Sequence, residues 1–396
     1  MNRLGISLNE KIVRIVFKFT ILLVITATIS TTYNQENIPL GLYELRHYFL
    51  LFVLVLSIYH YRPLAFTIEG FIRTLVTIGL IQIPFVILEH LLVTFTNINI
   101  WAGGSALDMC SGTFGGYPAL VFYQIVAIGS VLTYQLKNGK PIIMPINNYI
   151  LIIFLIVPLL FSFSRSAMGF LIILCLIILL RNMTQRESTT GPVKTLLLIV
   201  CLPIAIFSLF YFFFWERHFD IEKELNPNHV IEYFSRYSRP SIEARIKGEH
   251  GVMGRARAVT ESCRLVFRTP MQFLFGLGSG STSEASFLGD RGNYYQRYGP
   301  LAGLGRTHIS KTIAELGFVG LAVLLIFFIT LLRQIRRVDR LHESFLATDI
   351  YMVILINILM MAFYTTVLVS SITMFVLGYF IALIQSKLNT IIERGS

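Results

Sequence analysis

Long apolar stretches separated by short polar joints set the pattern of this chain. A helix needs roughly 20 apolar residues to cross a hydrocarbon core of about 30 Å. Ten such runs can be placed, at 15–30, 45–60, 71–95, 117–136, 146–163, 166–180, 193–215, 313–332, 346–364 and 372–386. Each is predicted to be a helix, because lipid offers no partner to open backbone groups. The second, sixth and tenth runs are short, so a re-entrant reading stays open for them. The first run has a basic flank and no small-residue cleavage site, which reads as an anchor and not a removed signal peptide. No tandem repeat or low-complexity tract interrupts the series.

One polar interval is much longer than the rest. Residues 216–311 separate the seventh and eighth runs, which divides the chain into a bundle over 1–215, a large loop over 216–311 and a closing set of about three spans over 312–396.

Composition agrees with the pattern. At 55% hydrophobic and 14% charged residues, the chain is too apolar for an ordinary soluble enzyme. With 33 Lys and Arg against 22 Asp and Glu, its net charge is +11, and the placement of those charges predicts orientation. With a cytoplasmic N-terminus, the inner segments hold Arg3, Lys11, Arg14, Arg62, Arg73, Lys137, Lys140, Arg181, Arg186, Lys194, Arg333, Arg336, Arg337, Arg340, Lys387 and Arg394. Short outer segments hold only Arg46 and Arg165. Both termini are therefore expected inside and the 216–311 loop outside.

That loop carries 14 basic and 10 acidic residues, and between Arg236 and Arg268 the balance is eight to three. A solvated basic domain is the bland explanation; an anionic ligand such as a phosphate or acidic glycan is the functional one. Cys110 and Cys263 both fall on outer segments, which leaves a disulfide open, while Cys175 and Cys201 sit inside apolar runs. No CxxC or HxxxH spacing is present, so no metal site is expected.

Three stretches carry candidate chemistry. In Ser162-Phe163-Ser164-Arg165-Ser166, an arginine at the outer rim either snorkels to headgroups or enters a polar pocket between helices, and the flanking serines make the pocket competitive. From Arg255 to Arg268, the residues Arg257, Glu261, Arg264 and Arg268 step by four, three and four. Ala256, Val259, Cys263, Val266 and Phe267 take another face, so an amphipathic helix stopped by Pro270 is predicted. Its null is a surface helix with an Arg257–Glu261 pair worth about 0.3–0.5 kcal/mol; three unpaired arginines tilt the reading toward anion binding. The turn Gly276-Leu277-Gly278-Ser279-Gly280 has no GK[ST] ending and reads as a place where backbone approaches another element. Tyr294, Tyr295 and Tyr298 fit sugar stacking and an interfacial belt equally well. Last, His308 heads the eighth run, where a helix N-terminus and the neighbouring Arg306 and Lys311 disfavour an imidazolium and keep the ring available as a base.

At these stations the chain resembles the O-antigen ligase and O-antigen polymerase superfamily of bacterial membrane glycosyltransferases. The matching features are Ser164-Arg165-Ser166, Gly254-Arg255 with Pro270 fifteen residues after Arg255, Gly276-x-Gly278, and His308 running into Glu315-x-Gly317-x-x-Gly320. Ser111-Gly112-Thr113-Phe114-Gly115 is similar to the family's Gly-Thr-Phe segment. The likeness covers residues 111–332. It departs from the family where Ile309 replaces the asparagine after the histidine, where Val259 replaces an aromatic, and in a slightly longer proline-to-glycine spacing.

The resemblance implies an all-α integral membrane protein of about ten transmembrane helices, a GT-C type bundle with one long helical periplasmic loop. It implies a bacterial plasma membrane enzyme with its active site on the periplasmic face. The reaction would be metal-independent and cofactor-free, moving a glycan from undecaprenyl diphosphate to an acceptor glycan with inversion. Arg165 and Arg255 would stabilise the diphosphate and His308 would be the base; Arg257, Arg264, Arg268, Ser164 and Arg306 would bind substrate. Partners would be the lipid-linked glycan, the bilayer and other polysaccharide export proteins, with no nucleic acid. Polymerase is favoured slightly over ligase, and the rival from another class is a lipid-linked glycan flippase.

Overall fold

Every apolar run except 193–215, which lies outside the described residues, winds into a helix in the computed structural model. The structure describes residues 11–61, 67–96, 110–114, 116–162, 165–184, 255–285, 290–298, 304, 307–342 and 346–395. The helices are α1 (Lys11–Tyr33), α2 (Ile38–Tyr61), α3 (Ile68–Thr96), α4 (Tyr117–Asn138), α5 (Asn148–Phe161) and α6 (Arg165–Thr184). After them come α7 (Arg255–Val266), α8 (Pro270–Phe275), α9 (Asn293–Tyr298), α10 (His308–His342), α11 (Leu346–Tyr364) and α12 (Ser371–Gly395). The two-residue strands β1 (Glu284–Ala285) and β2 (Asp290–Arg291) form one antiparallel ladder between α8 and α9. The chain is thus an all-α protein of membrane type.

Five of these helices, α1, α3, α4, α10 and α11, are long and apolar enough to cross a bilayer. A sixth crossing is counted if α2, bent by 41° between Ile38–Arg46 and Tyr48–Tyr61, is one span. The apolar parts of α5, α6 and α12 are shorter, at Asn148–Phe161, Ala167–Asn182 and Ser371–Ser386. Two of these, α6 and α12, were expected to be short from the sequence.

The residues group into two compact units. The first comprises Met1–Ser57, Asp220–Arg333 and Met361–Met374; the second comprises Ile58–Phe219, Gln334–Met360 and Phe375–Ser396.

The second unit is built around α4, whose residues are buried almost throughout. Gly129 permits this: a Cβ there would stand 2.7 Å from Val353 of α11 and 2.9 Å from Leu174 of α6. Two sets of polar groups in it are matched locally, as an apolar setting favours. The Asn148 amide donates to Gln135 Oε1 at 2.6 Å and to Lys140 O at 2.8 Å, while its oxygen accepts from Ile142 N, closing the α4–α5 joint. The Glu89 carboxylate on α3 accepts the backbone N–H groups of Ser111 (2.7 Å) and Gly112 (2.9 Å). One α3 turn pair earlier, Gln82 Oε1 accepts from Thr113 N and Thr113 Oγ1, both at 2.9 Å. The Ser111–Phe114 segment that resembles a family motif is therefore pinned to α3.

Candidate functional site

In the first unit, the break in α10 organises everything around it. At Gly317 the backbone leaves helical geometry (φ 65°, ψ −163°). Residues 308–316 therefore form a short head segment ahead of the longer apolar part. A break of this kind strips carbonyls of their i+4 partners, which is costly in an apolar setting unless others replace them. Leu277 N donates to Ala314 O at 2.7 Å and Ser30 Oγ of α1 donates to Glu315 O at 2.8 Å. The glycine-rich turn thus approaches another element, as its composition predicts. Gly276 and Gly317 meet backbone to backbone: a Cβ on Gly276 would lie 2.6 Å from Gly317 N, and one on Gly317 would lie 2.5 Å from Gly276 N. Both have positive φ, so neither position accommodates a side chain.

The N-terminal end of α10 is closed by a reciprocal cap. Ser310 N donates to Thr307 Oγ1 at 3.1 Å, and Thr307 N donates back to Ser310 Oγ at 3.2 Å, a capping box with serine in the third position. His308 N donates to Thr365 O at 3.0 Å. Its ring is buried, with Nε2 3.3 Å from the Tyr48 hydroxyl of α2, and the ring tautomer decides which of the two donates. His308 Nδ1 is buried with no hydrogen-bond partner among the described residues.

One and two helical turns on from His308, α10 presents two more ionisable side chains. Lys311 Nζ donates to Glu44 Oε2 at 2.5 Å and to Ser283 Oγ at 2.8 Å. Ser283 Oγ donates in turn to Glu315 Oε1 at 3.1 Å, and Thr282 Oγ1 donates to the same oxygen at 2.5 Å. Glu44 and Glu315 are buried, and the Lys311 side chain is 14% exposed. An unpaired charge in such a place costs several kcal/mol, so the cluster persists because each member has an opposite charge or hydroxyl against it. Glu44 and Tyr48 are four residues apart on α2, and His308, Lys311 and Glu315 recur by three and four on α10. Two facing helical stripes thereby build a polar core at one end of this unit.

The loop helix joins the same construction. Ala258, Leu265 and Val266 of α7 are buried in one apolar cluster with Leu277, Leu304 and Ile313, and Ile309, Phe318 and Tyr294 pack against it. The amphipathic helix stopped before Pro270 is present, and Val259, Cys263 and Val266 of its predicted face pack on this cluster. Ala258 and Leu265 are inside, whereas Phe267 is largely exposed and stacks on Phe273 at 5.3 Å. Tyr294, partly buried, also packs against this cluster. Pro270 also starts α8, with Thr269 Oγ1 accepting from Gln272 N.

The expected site residues sort as follows. Arg255 is the first residue of α7 and half-buried. Arg257 Nη2 lies 3.5 Å from Glu261 Oε1 and Arg264 Nη1 lies 3.8 Å from Glu261 Oε2, so Arg264 is not the unpaired cation the sequence implied. The group Arg257–Glu261–Arg264 nonetheless keeps one positive charge in excess. Arg268 is exposed. Arg165 is the first residue of α6, in the second unit, while Ser164 and Arg306 lie outside the described residues. Cys110 and Cys263 are free thiols, which removes the disulfide; burial and the nearby Glu89 push Cys110 up to about 12. No cluster of three metal-ligating side chains occurs among the described residues.

Glu44 and Tyr48 were missed from the sequence, and Lys311 was read only as a like charge beside His308. A signal existed: opposite charges at helical spacing within apolar surroundings mark residues that need one another. Compared with known proteins, the chain matches no family model and no curated sequence.

Proposed function

We propose that the protein is a polysaccharide polymerase of the O-antigen type, a metal-independent inverting glycosyltransferase of the outer face of a bacterial plasma membrane. It would move a glycan from undecaprenyl diphosphate to a lipid-linked acceptor glycan. A GT-C type bundle of about ten spans is part of the proposal. The observation that carries it is the meeting of three separated sequence stations in one unit. The Arg255 helix packs on the His308 helix, and Gly276 of the glycine turn seats against Gly317 of the Glu-x-Gly-x-x-Gly stretch.

In this reading Arg255 pairs with diphosphate oxygens through its planar guanidinium group and stabilises charge on the leaving group. His308 takes the proton of the attacking hydroxyl on the opposite face of the anomeric carbon, which gives inversion. Arg257, Arg264, Arg268 and Arg306 guide the diphosphate or an acidic glycan. Reconstituted protein supplied with a lipid diphosphate glycan is the test. Arg255→Ala and His308→Ala should each lower turnover by at least about 100-fold, the order of a lost base or charge stabiliser. Near wild-type turnover of folded variants would refute the assignment. Loss of the gene should leave capped single repeats for a polymerase and long chains on the lipid carrier for a ligase.

A second reading has its own observation. A helix broken at Gly317 beside Lys311 and the buried Glu315 and Glu44 is also the construction that transporters use at substrate sites. A lipid-linked glycan flippase would move the fluorescent lipid across liposomes without forming a glycosidic bond, and that result would replace the enzyme reading.

A further inference from the structure

The corner where α7 gives way to α8 exposes apolar side chains within the long polar interval. Phe267 is 62% exposed and Leu274 is 40% exposed, with Pro270 open between them. Rings left on a surface in this way mark a partner. These rings are fixed in place: Phe267 stacks on Phe273 at 5.3 Å, Phe273 meets Phe318 of α10 at 4.7 Å, and Phe267 meets Phe318 directly at 5.9 Å. The corner is also tied to the end of α1, where Gln272 Nε2 donates to Asn34 Oδ1 and Asn34 Nδ2 donates to Gly276 O at 3.1 Å.

Both supporting helices are long and apolar enough to cross a bilayer, and each leaves one apolar stripe exposed. On α1 the stripe is Leu22, Ile25 and Ile29; on α10 it is Ala322, Ile326 and Ile329, and Phe318 stands one turn ahead of it on the same face. The ring cluster therefore continues a surface that lipid covers. Helical rise gives its depth. Phe318 is fifteen residues from Arg333, the first of four exposed arginines with Arg336, Arg337 and Arg340. At 1.5 Å per residue that is about 22 Å, short of a hydrocarbon core of about 30 Å. With Arg333 at one boundary, Phe318 lies inside the opposite leaflet; snorkelling of Arg333 raises it by a few ångströms, and any tilt lowers it. Phe267, packed on Phe318, falls at the same level, and the exposed Arg268 next to it suits headgroup phosphates. We propose that the α7–α8 corner is an interfacial anchor, with Phe267 and Leu274 in the acyl region of the leaflet on its own side and Arg268 among the phosphates. The anchor holds α7 at headgroup level and does not depend on which reaction the protein performs.

Tryptophan placed at the corner reads its surroundings directly. The full chain, with its two native tryptophans removed as Trp101→Phe and Trp215→Phe, carries Phe267→Trp or Leu274→Trp and is reconstituted into phosphatidylcholine vesicles. The lipid chains are brominated either near the ester end or near mid-chain. Each corner tryptophan should emit at shorter wavelength than tryptophan in water, resist iodide, and be quenched more by bromine near the ester end than at mid-chain. Ile326→Trp, seven residues from Arg333 and so about 10 Å from that boundary, should show the opposite order and calibrates depth. Circular dichroism and gel filtration confirm that each variant is folded, and if one corner variant is not, the other decides. Emission quenched by iodide and untouched by brominated lipid places the corner in water and overturns the proposal. Short-wavelength emission that neither quencher reaches places it against protein, whether another segment of this chain or a second copy, and overturns it as well.

Discussion

Lys311 shows how a single side chain is committed by its surroundings. It is the cation for Glu44 and, through Ser283, one hydroxyl away from Glu315. Removing it leaves the buried Glu44 carboxylate with only the exposed Arg46 near it, so Lys311→Met should cost about 3–5 kcal/mol of stability, read by unfolding in detergent. The double change Lys311→Met with Glu44→Leu should recover much of that loss, because a well-packed apolar pair substitutes for a buried ion pair with little penalty. Glu36, in the joint between α1 and α2, shows the same physics without a cation. Burial pushes its carboxyl above the ordinary range, and Glu315 adds to the shift, while a hydrogen bond from Asn293 N opposes it. The folded state then holds a proton that the unfolded state has released, so stability is full below the ordinary carboxylate value and falls as pH rises through the raised one. Glu36→Gln should flatten that pH dependence of unfolding and raise stability at pH 7.

Among elements, α10 separates what local sequence specifies from what tertiary contact specifies. Its apolar period is legible, and so is the stop of α7 before Pro270. The break at Gly317 is not, because a glycine inside an apolar run is tolerated in a regular helix at about 1 kcal/mol. It becomes a break only where Leu277 N and Ser30 Oγ supply the partners that α10 gives up. Those partners come from segments far away in sequence, as do Glu44 and Tyr48, which is why the polar core opposite His308 was not read from local pattern. The glycines predict a sharp contrast. Gly276→Ala and Gly317→Ala place a methyl against backbone at 2.4–2.7 Å and should abolish folding or yield, followed by detergent-resistant monomer on gel filtration. Gly169→Ala on α6, with nothing within 4 Å, should be neutral or stabilise by up to about 1 kcal/mol.

At the scale of the molecule, the charge bias makes a prediction about sidedness. In the first unit the α1–α2 joint, the turn at 276–283, the head of α10 and the joint before α12 converge: Gln272 Nε2 donates to Asn34, Ser279 Oγ to Gly41 O, and His308 N to Thr365 O. These are segments that the basic residues place on one side. In a background free of native cysteines, Thr260→Cys should react with an impermeant maleimide on intact cells, and Lys140→Cys only after permeabilisation. The reverse pattern would invert the whole orientation. The extent of the apolar runs was readable because solvent alone dictates it; the grouping of distant segments into two units depends on side-chain packing that hydropathy does not record.

The interruption at Gly317 also separates two phases of one helix. In an unbroken helix each inserted residue turns everything beyond it by about 100°. Here the azimuth of the His308, Lys311 and Glu315 stripe is set by the glycine turn and α1, not by the lipid-facing register of the residues that follow. An alanine inserted at 326, well past the break, should rotate the apolar exterior while leaving the polar stripe aligned. Sequence drift in the membrane-facing half is thereby uncoupled from the chemistry at the head.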